Sequence, residues 1–184
     1  MGRPSRSYAQ GIYHVAAHGS DDRRLFIDDV DRRVFLDLLE LTFAPLGLRV
    51  VSFVLMTNHH HLLVDTPDDR IARGLQQLHG SYSRIHNLRH GRTAHLFRAH
   101  PLARRIEDDD DLVWTDRYFA WNPVEAGIVA TPFDSPWSSA AAHAGLAAPR
   151  LPVHDRPLRA AFGGAGDWRR RYFDYVAGPL SRAA

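Results

Sequence analysis

LRVVSFVLMTNHHHLLVD, residues 48–65, holds two apolar runs separated by Thr57 and Asn58. The first run, Leu48 to Met56, is rich in Val and Phe and reads as a strand. Thr57 and Asn58 suit a tight turn, and His59 to Asp65 reads as the antiparallel partner. A hairpin here puts three consecutive histidines on a strand, where alternate side chains share a face. His59 and His61 therefore point one way and His60 the other. Two imidazoles at i and i+2 can chelate one divalent ion, and a third ligand with open water positions would complete a catalytic centre.

Outward from the hairpin, GIYHVAAHG (11–19) has the Tyr, Val and flanking glycines of a first strand. From Asp28, the residues Val30, Val34, Phe35, Leu38 and Leu39 recur at helical spacing, closed by Pro45 and Gly47. Asp68 or Asp69 is expected to cap a second helix whose stripe is Ile71, Leu75, Leu78, Tyr82 and Ile85, with arginines on its other side. His95 to Ile106 predicts a further strand, which Pro101 would place at an edge. The acidic run 107–111 suits the first turn of a third helix, where carboxylates oppose the positive end of the dipole. There Leu112, Thr115 and Phe119 form a buried stripe, and Trp114, Tyr118 and Asn122 a second row at i, i+4 and i+8.

The order strand, helix, strand, strand, helix, strand, helix predicts an α+β fold: a ferredoxin-like antiparallel sheet with helices packed on one face. Residues 1–146 are expected to form this domain. The remainder, 147–184, is a Pro/Gly/Ala-rich extension that reads as a linker or arm, with a possible short helix over GDWRRRYFDYV.

Composition narrows the chemistry. The 184 residues contain no cysteine, so any metal must sit on His, Asp, Glu, Asn or Gln. No stretch approaches the roughly 20 apolar residues of a membrane span, and MGRPSRSYAQG lacks a signal-peptide core, so a cytoplasmic, nucleoid-associated protein is expected. All 23 basic residues are arginine. Between Arg70 and Ile106 there is no Asp or Glu, while eight arginines and five histidines fall there. Such a stretch implies a surface for a polyanion, nucleic acid being the usual one; an arginine-rich face that is merely solvated is the alternative.

YHVAAHG, then DDVDRRVFLDLLE, VLMTNHHHLLVDTP, DRYFAWNPVEAGIV and PWSSA, in this order between about residues 8 and 143, resemble the single-tyrosine HUH transposases of the insertion-sequence-200 type. The variant with RY, NPV, AG and W-SS looks most like the REP-associated tyrosine transposases. The resemblance implies the HUH endonuclease/transposase fold, with His59 and His61 as metal ligands for Mg2+ or Mn2+. His60 departs from the bulky apolar residue of the pattern and should face the core or hydrogen-bond on the opposite sheet face.

By the same resemblance Tyr118 is the nucleophile, whereas Tyr82, on an apolar stripe, reads as core. Asn122 would supply the third ligand; Asn followed by Pro123 is equally the pattern of a helix N-cap with proline at N1. His14 either joins the pocket or is a satisfied core residue. The implied activity is metal-assisted nicking and rejoining of single-stranded or hairpin-containing DNA through a 5′-phosphotyrosine, by a monomer or homodimer. Arg73, Arg84, Arg89, Arg92, Arg98, Arg104 and Arg105 would track the DNA backbone, and Trp114, Trp121 or Phe97 could stack bases. Where the family often has Gln, Gly, Arg and an aromatic, this chain has Arg98, Ala99, His100 and Pro101. Two other readings stay open: a catalytically silent DNA-binding derivative, and a metal-dependent hydrolase or nuclease that activates water.

Overall fold

A computed structural model describes residues 8–98, 101–164 and 166–178. Four antiparallel strands, β1 (Gly11–His18), β2 (Arg49–Leu55), β3 (His59–Thr66) and β4 (Leu102–Arg105), lie in the order β2-β3-β1-β4. With helix α1 (Asp29–Phe43) between β1 and β2, and α2 (Ile71–Arg89) between β3 and β4, this is the ferredoxin-like topology. The hairpin turns at 57–58, as its sequence requires. The fourth strand is shorter than expected: only 102–105 pair with β1, just after Pro101, and Ala99 and His100 lie outside the described residues.

Strand alternation sorts the sheet into two faces. Val15, Phe53, Leu62 and Val64 pack against α1 and α2, joined by Phe35, Leu39, Leu75, Leu78 and Tyr82. Val51, Val54 and Leu63 pack the other way, against Leu112 and Phe119 of α3 (Asp109–Glu125). Helices thus cover both faces, not one as expected. Strand β2 carries a bulge between Val50 and Ser52. The extra residue lets both Val51 and Ser52 face α3.

Helix ends follow local chemistry. The Asp28 carboxylate caps α1 by accepting from the N–H groups of Val30 and Asp31, and Asp108 caps α3 by accepting from that of Asp111. At α2 the N-cap is Arg70, not an aspartate; Asp68 instead accepts from the Arg70 N–H at 3.0 Å. The buried stripe of α2 also ends differently: His86 is buried where Ile85 was expected, and Ile85 is exposed.

Past α3, Trp137 to Ser139 run along the outer edge of β2. The Leu55 N–H donates to the Trp137 carbonyl at 2.9 Å and the Ser139 N–H to the Phe53 carbonyl at 3.0 Å, which covers that edge. After α4 (Ala140–His143), the segment read as an arm forms α5 (Arg156–Ala161) and α6 (Trp168–Ala177). Leu158 joins the α3 core, and Trp168, Tyr172 and Val176 build a third apolar cluster with Ala120 and Ala140. Trp121 donates its indole N–H to the Val176 carbonyl at 2.9 Å, and Arg117 donates to the Gly178 carbonyl at 2.9 Å. No helix among the described residues is long and apolar enough to cross a membrane.

Because Trp168 seats α6 on the tyrosine-bearing helix, Trp168→Ala should lower the unfolding free energy by about 3–5 kcal/mol, read from urea denaturation. A loss below about 1 kcal/mol would show that α6 rests on the fold without supporting it.

Candidate active site

In the β1–β3 ladder Ala16 pairs with His61 and His18 with His59. Side chains directly opposite one another share a face, so His14 and His18 of β1 stand beside His59 and His61 of β3, on the α3 side of the sheet. The His18 and His59 rings stack at 4.9 Å, and those of His59 and His61 lie 5.1 Å apart. His18 is the residue the sequence reading missed. The signal was available: His18 is four strand positions from His14 and so shares its face.

Each of the two central rings spends its Nδ1 on a neighbour. His59 Nδ1 lies 2.8 Å from Asn58 Oδ1, and His61 Nδ1 lies 3.0 Å from His14 Nε2. The carbonyl oxygen of Asn58 accepts, which fixes the proton of His59 on Nδ1 and leaves its Nε2 lone pair available. His14 can take the same part for His61. Burial lowers all three rings: His61 to about 3, with the neighbouring His14 adding to the effect, and His14 to about 4, aided by the Arg104 cation. His59 is lowered by burial and by His18, against an opposing hydrogen bond from Asn122. These are neutral imidazoles at neutral pH, the state in which histidine binds a metal.

Helix α3 lies over them. Phe119 stacks on His61 at 5.3 Å and meets His14 edge-on at 5.1 Å. The half-buried Tyr118 ring is 5.6 Å from that of His61, and Trp114, one turn earlier, lies parallel to it at 5.8 Å. One turn later Asn122 donates its Nδ2–H to the Tyr118 carbonyl at 2.7 Å while its side chain hydrogen-bonds the His59 ring. Asn122 is not an N-cap: it sits inside α3, and its carbonyl accepts from the Ala126 N–H at 3.0 Å, so the helix continues through Pro123. The three predicted ligand residues and the tyrosine are brought together. His61 with its Nε2 unspent, the His59 ring and the Asn122 amide that meets it make a donor set that fits a divalent ion.

His60 points to the other face, fully buried, with its Nε2 3.0 Å from Nε2 of His79 on α2 and its ring against Phe35. One ring donates and the other accepts, which replaces the apolar residue of the pattern by a neutral pair. Tyr82 is core: it is buried, donates to the Leu25 carbonyl at 2.5 Å, and burial pushes its phenol well up.

The arginines divide. Arg73, Arg84 and Arg89 lie on α2, in the layer away from Tyr118, and Arg92 follows that helix. Arg89 is bound to Asp28 and Asp31. Arg104 shares the His14 face, opposite it in the ladder, and is bridged to Asp111 at 2.6 Å. Arg105 donates to the Gln10 carbonyl. Arg98 is exposed, and its N–H donates to the His18 carbonyl at 2.8 Å, so it borders the histidines. Of the aromatics, Phe97 stacks on His79 at 4.1 Å and Trp121 holds α6, which leaves Trp114 as the one beside the tyrosine.

The fold is an α+β sheet with helices on both faces. In a comparison of solved structures the chain is similar to the structure of a REP-associated tyrosine transposase bound to a REP hairpin, with a TM-score of 0.66 at 16% identity over 84% of this chain and 93% of that one. A protein from Deinococcus radiodurans R1 provisionally described as a transposase also matches, at a TM-score of 0.45 and 18% identity over 61% of this chain and 91% of that one, too low to bear on the fold. No family model and no curated protein matches the sequence. The architecture is thus REP-associated-tyrosine-transposase-like.

The lowered histidines couple the site to pH. The unfolded chain protonates its histidines as pH falls through about 6.5, whereas the folded chain resists down to about 4 at His14 and His79 and about 3 at His61. The unfolded state therefore binds more protons in this window, and stability rises with pH. The thermal midpoint should fall as pH drops from 6.5 towards about 5.5, before the carboxylates of the unfolded chain take up protons at about 4. A midpoint that stays flat across that window would contradict the assignment.

Proposed function

We propose that the chain nicks and rejoins single-stranded DNA, with Tyr118 as nucleophile and a divalent cation, Mg2+ or Mn2+, held by His59, His61 and Asn122. The observation that carries this is a convergence: one helix sets Tyr118 against His61 and, a turn later, Asn122 against His59. In the proposed step the Tyr118 oxygen bonds to phosphorus and the bond from phosphorus to the 3′ oxygen breaks. The phenolic proton ends on the departing 3′ oxygen. The products are a 5′-phosphotyrosine and a free 3′ hydroxyl, and attack by another 3′ hydroxyl reverses the step and joins strands.

When bound, the cation supplies polarisation of the scissile phosphate and offsets charge on its nonbridging oxygens. The chain's own groups do the positioning. Trp114, parallel to Tyr118, limits where that ring can swing. Asn58 and His14 hold the two ligand rings by Nδ1, so that both Nε2 atoms face the reaction. Arg98 and Arg104 flank the histidines and would meet the phosphates nearest the nick. The arginines of α2 lie across the sheet and would reach only a more distant part of the DNA, as a hairpin stem offers. That the similar transposase was captured with a hairpin supports this substrate class.

A labelled single strand carrying a hairpin tests the proposal. Nicking should need Mg2+ or Mn2+, stop with a chelator, and leave a protein–DNA adduct that survives denaturation; Tyr118→Phe should abolish both nick and adduct. Nicking without an adduct would favour a water-activating nuclease, and binding without nicking a silent DNA-binding derivative. His14→Ala, which releases the His61 ring, should cost about 10–100-fold in activity or metal affinity. Unchanged activity in that variant would show that His61 needs no such support.

A further inference from the structure

Among the described residues, the one group of three His or Asp side chains whose ligand atoms all lie within 4.8 Å of one another is not beside Tyr118. It is Asp31 on α1 with His86 and His90 at the end of α2, in the layer across the sheet. His86 and His90 are four residues apart and so share one side of the helix, with ring centroids 4.6 Å apart. Asp31 and His86 are 2% and 1% exposed, which puts two polar side chains where the apolar stripe of each helix should continue.

The surroundings of these groups differ in a way that points to a ligand. Asp31 is held: its Oδ2 accepts from the Ile27 N–H at 2.8 Å and its Oδ1 from Arg89 at 2.5 Å. His90 Nε2 lies 3.0 and 3.1 Å from the two Asp31 oxygens. His86 is not held. Both of its ring nitrogens are buried and neither has a hydrogen-bond partner among the described residues. His60 and His143, also buried, each spend one nitrogen on a partner. Leaving a buried polar group unmade costs about 1–3 kcal/mol, so His86 would be better filled by an apolar residue unless something binds it.

We infer that Asp31, His86 and His90 form a second cation site, taking a borderline divalent transition ion of the zinc type and clamping α1 to α2. Two imidazoles and one carboxylate are a common zinc donor set, and nitrogen donors disfavour magnesium or calcium here. Binding through His90 Nε2 replaces its hydrogen bond to Asp31 by the ion, and the neutral ring then carries its one proton on Nδ1. Arg89 is the adverse charge, with Arg92 nearby. Arg89 stays anchored through its second nitrogen to Asp28 at 2.6 Å, so its contact with Asp31 can open without freeing the guanidinium. The inference does not rest on the chemistry proposed for Tyr118.

The test uses the full chain, freed of metal by a chelator and titrated with Co2+, whose visible absorption reports a nitrogen- and oxygen-bound tetrahedral ion. Wild type should take up two equivalents, one at each site. His59→Ala/His61→Ala should keep one, and His90→Gln, altered at a half-buried helix end, should keep the other. In the His59→Ala/His61→Ala protein, Zn2+ should raise the thermal midpoint by several degrees, and adding His90→Gln should erase that rise. The inference is overturned if that protein, folded by circular dichroism, gives no saturable Co2+ spectrum, or if His90→Gln leaves the wild-type stoichiometry and spectrum unchanged. Nicking that persists in Tyr118→Phe would overturn the function proposed above and leave both titrations as expected, which separates the two.

Discussion

The pairing of β1 with β3 is the constraint on which the site depends. Its register sets His18 against His59 and Ala16 against His61, and strand alternation then gathers four imidazoles on one face. Slipping β3 by a single residue would turn His60 towards Tyr118 and drive His59 and His61 into the α1/α2 layer. Leu62 and Val64, both with 0% exposure, oppose such a slip because each would leave the main core. Packing on one side of the sheet thereby sets the chemistry on the other.

The tyrosine helix needs its own anchor, and a buried polar contact supplies it. Asp116, two residues before Tyr118, accepts a short hydrogen bond from the Ser52 hydroxyl, and Ser52 Oγ lies 3.2 Å from His143 Nε2. Serine, histidine and aspartate together invite comparison with a catalytic triad. The order is wrong for one: the serine proton goes to the carboxylate, so His143 meets Oγ without taking that proton, and all three side chains are buried. The group instead joins β2, α3 and α4. It is possible only because the bulge before Ser52 turns that residue towards α3. On its outer side α3 is held by α6, through Trp121 and Arg117. Tyr118 thus projects from a helix fastened both to the sheet and to the layer above it.

Much of this was legible in the sequence. The hairpin, the helix starting at Asp28, the acidic first turn of α3, the core role of Tyr82 and the row Trp114, Tyr118, Asn122 all depend on local spacing and on residues with strong preferences. What escaped reading depends on contacts between distant segments. His18 matters only because β1 lies beside β3, and the choice of Asn122 as helix interior over N-cap follows from a helix that continues past proline. Helices on both faces could not be told from helices on one, because alternation within a strand shows two buried faces only when the strand is apolar throughout, and here histidines and Ser52 interrupt it. Of the helices past residue 147, the short one over GDWRRRYFDYV was legible and is α6, whereas α5 was not, because Leu158 is its one buried residue and leaves no apolar stripe to read.

The arginine-rich stretch shows the same gap between chain and space. In sequence, residues 70–106 carry only positive charge, yet folding brings acids to them from elsewhere: Asp68 to Arg70, Asp28 and Asp31 to Arg89, and Asp111 to Arg104. These pairs remove much of the field that a count of arginines implies, since a bridged guanidinium must exchange its carboxylate for a phosphate before it can bind DNA. Arg73, Arg84, Arg92 and Arg98 carry no salt bridge among the described residues, and of these Arg98 alone adjoins the histidines. With His14, His59 and His61 held neutral by burial, Arg98 and Arg104 are the arginines of the face beneath Tyr118. A phosphate entering there gains little attraction from the protein alone, so a cation seated between His59, His61 and Asn122 would be the main positive charge it meets.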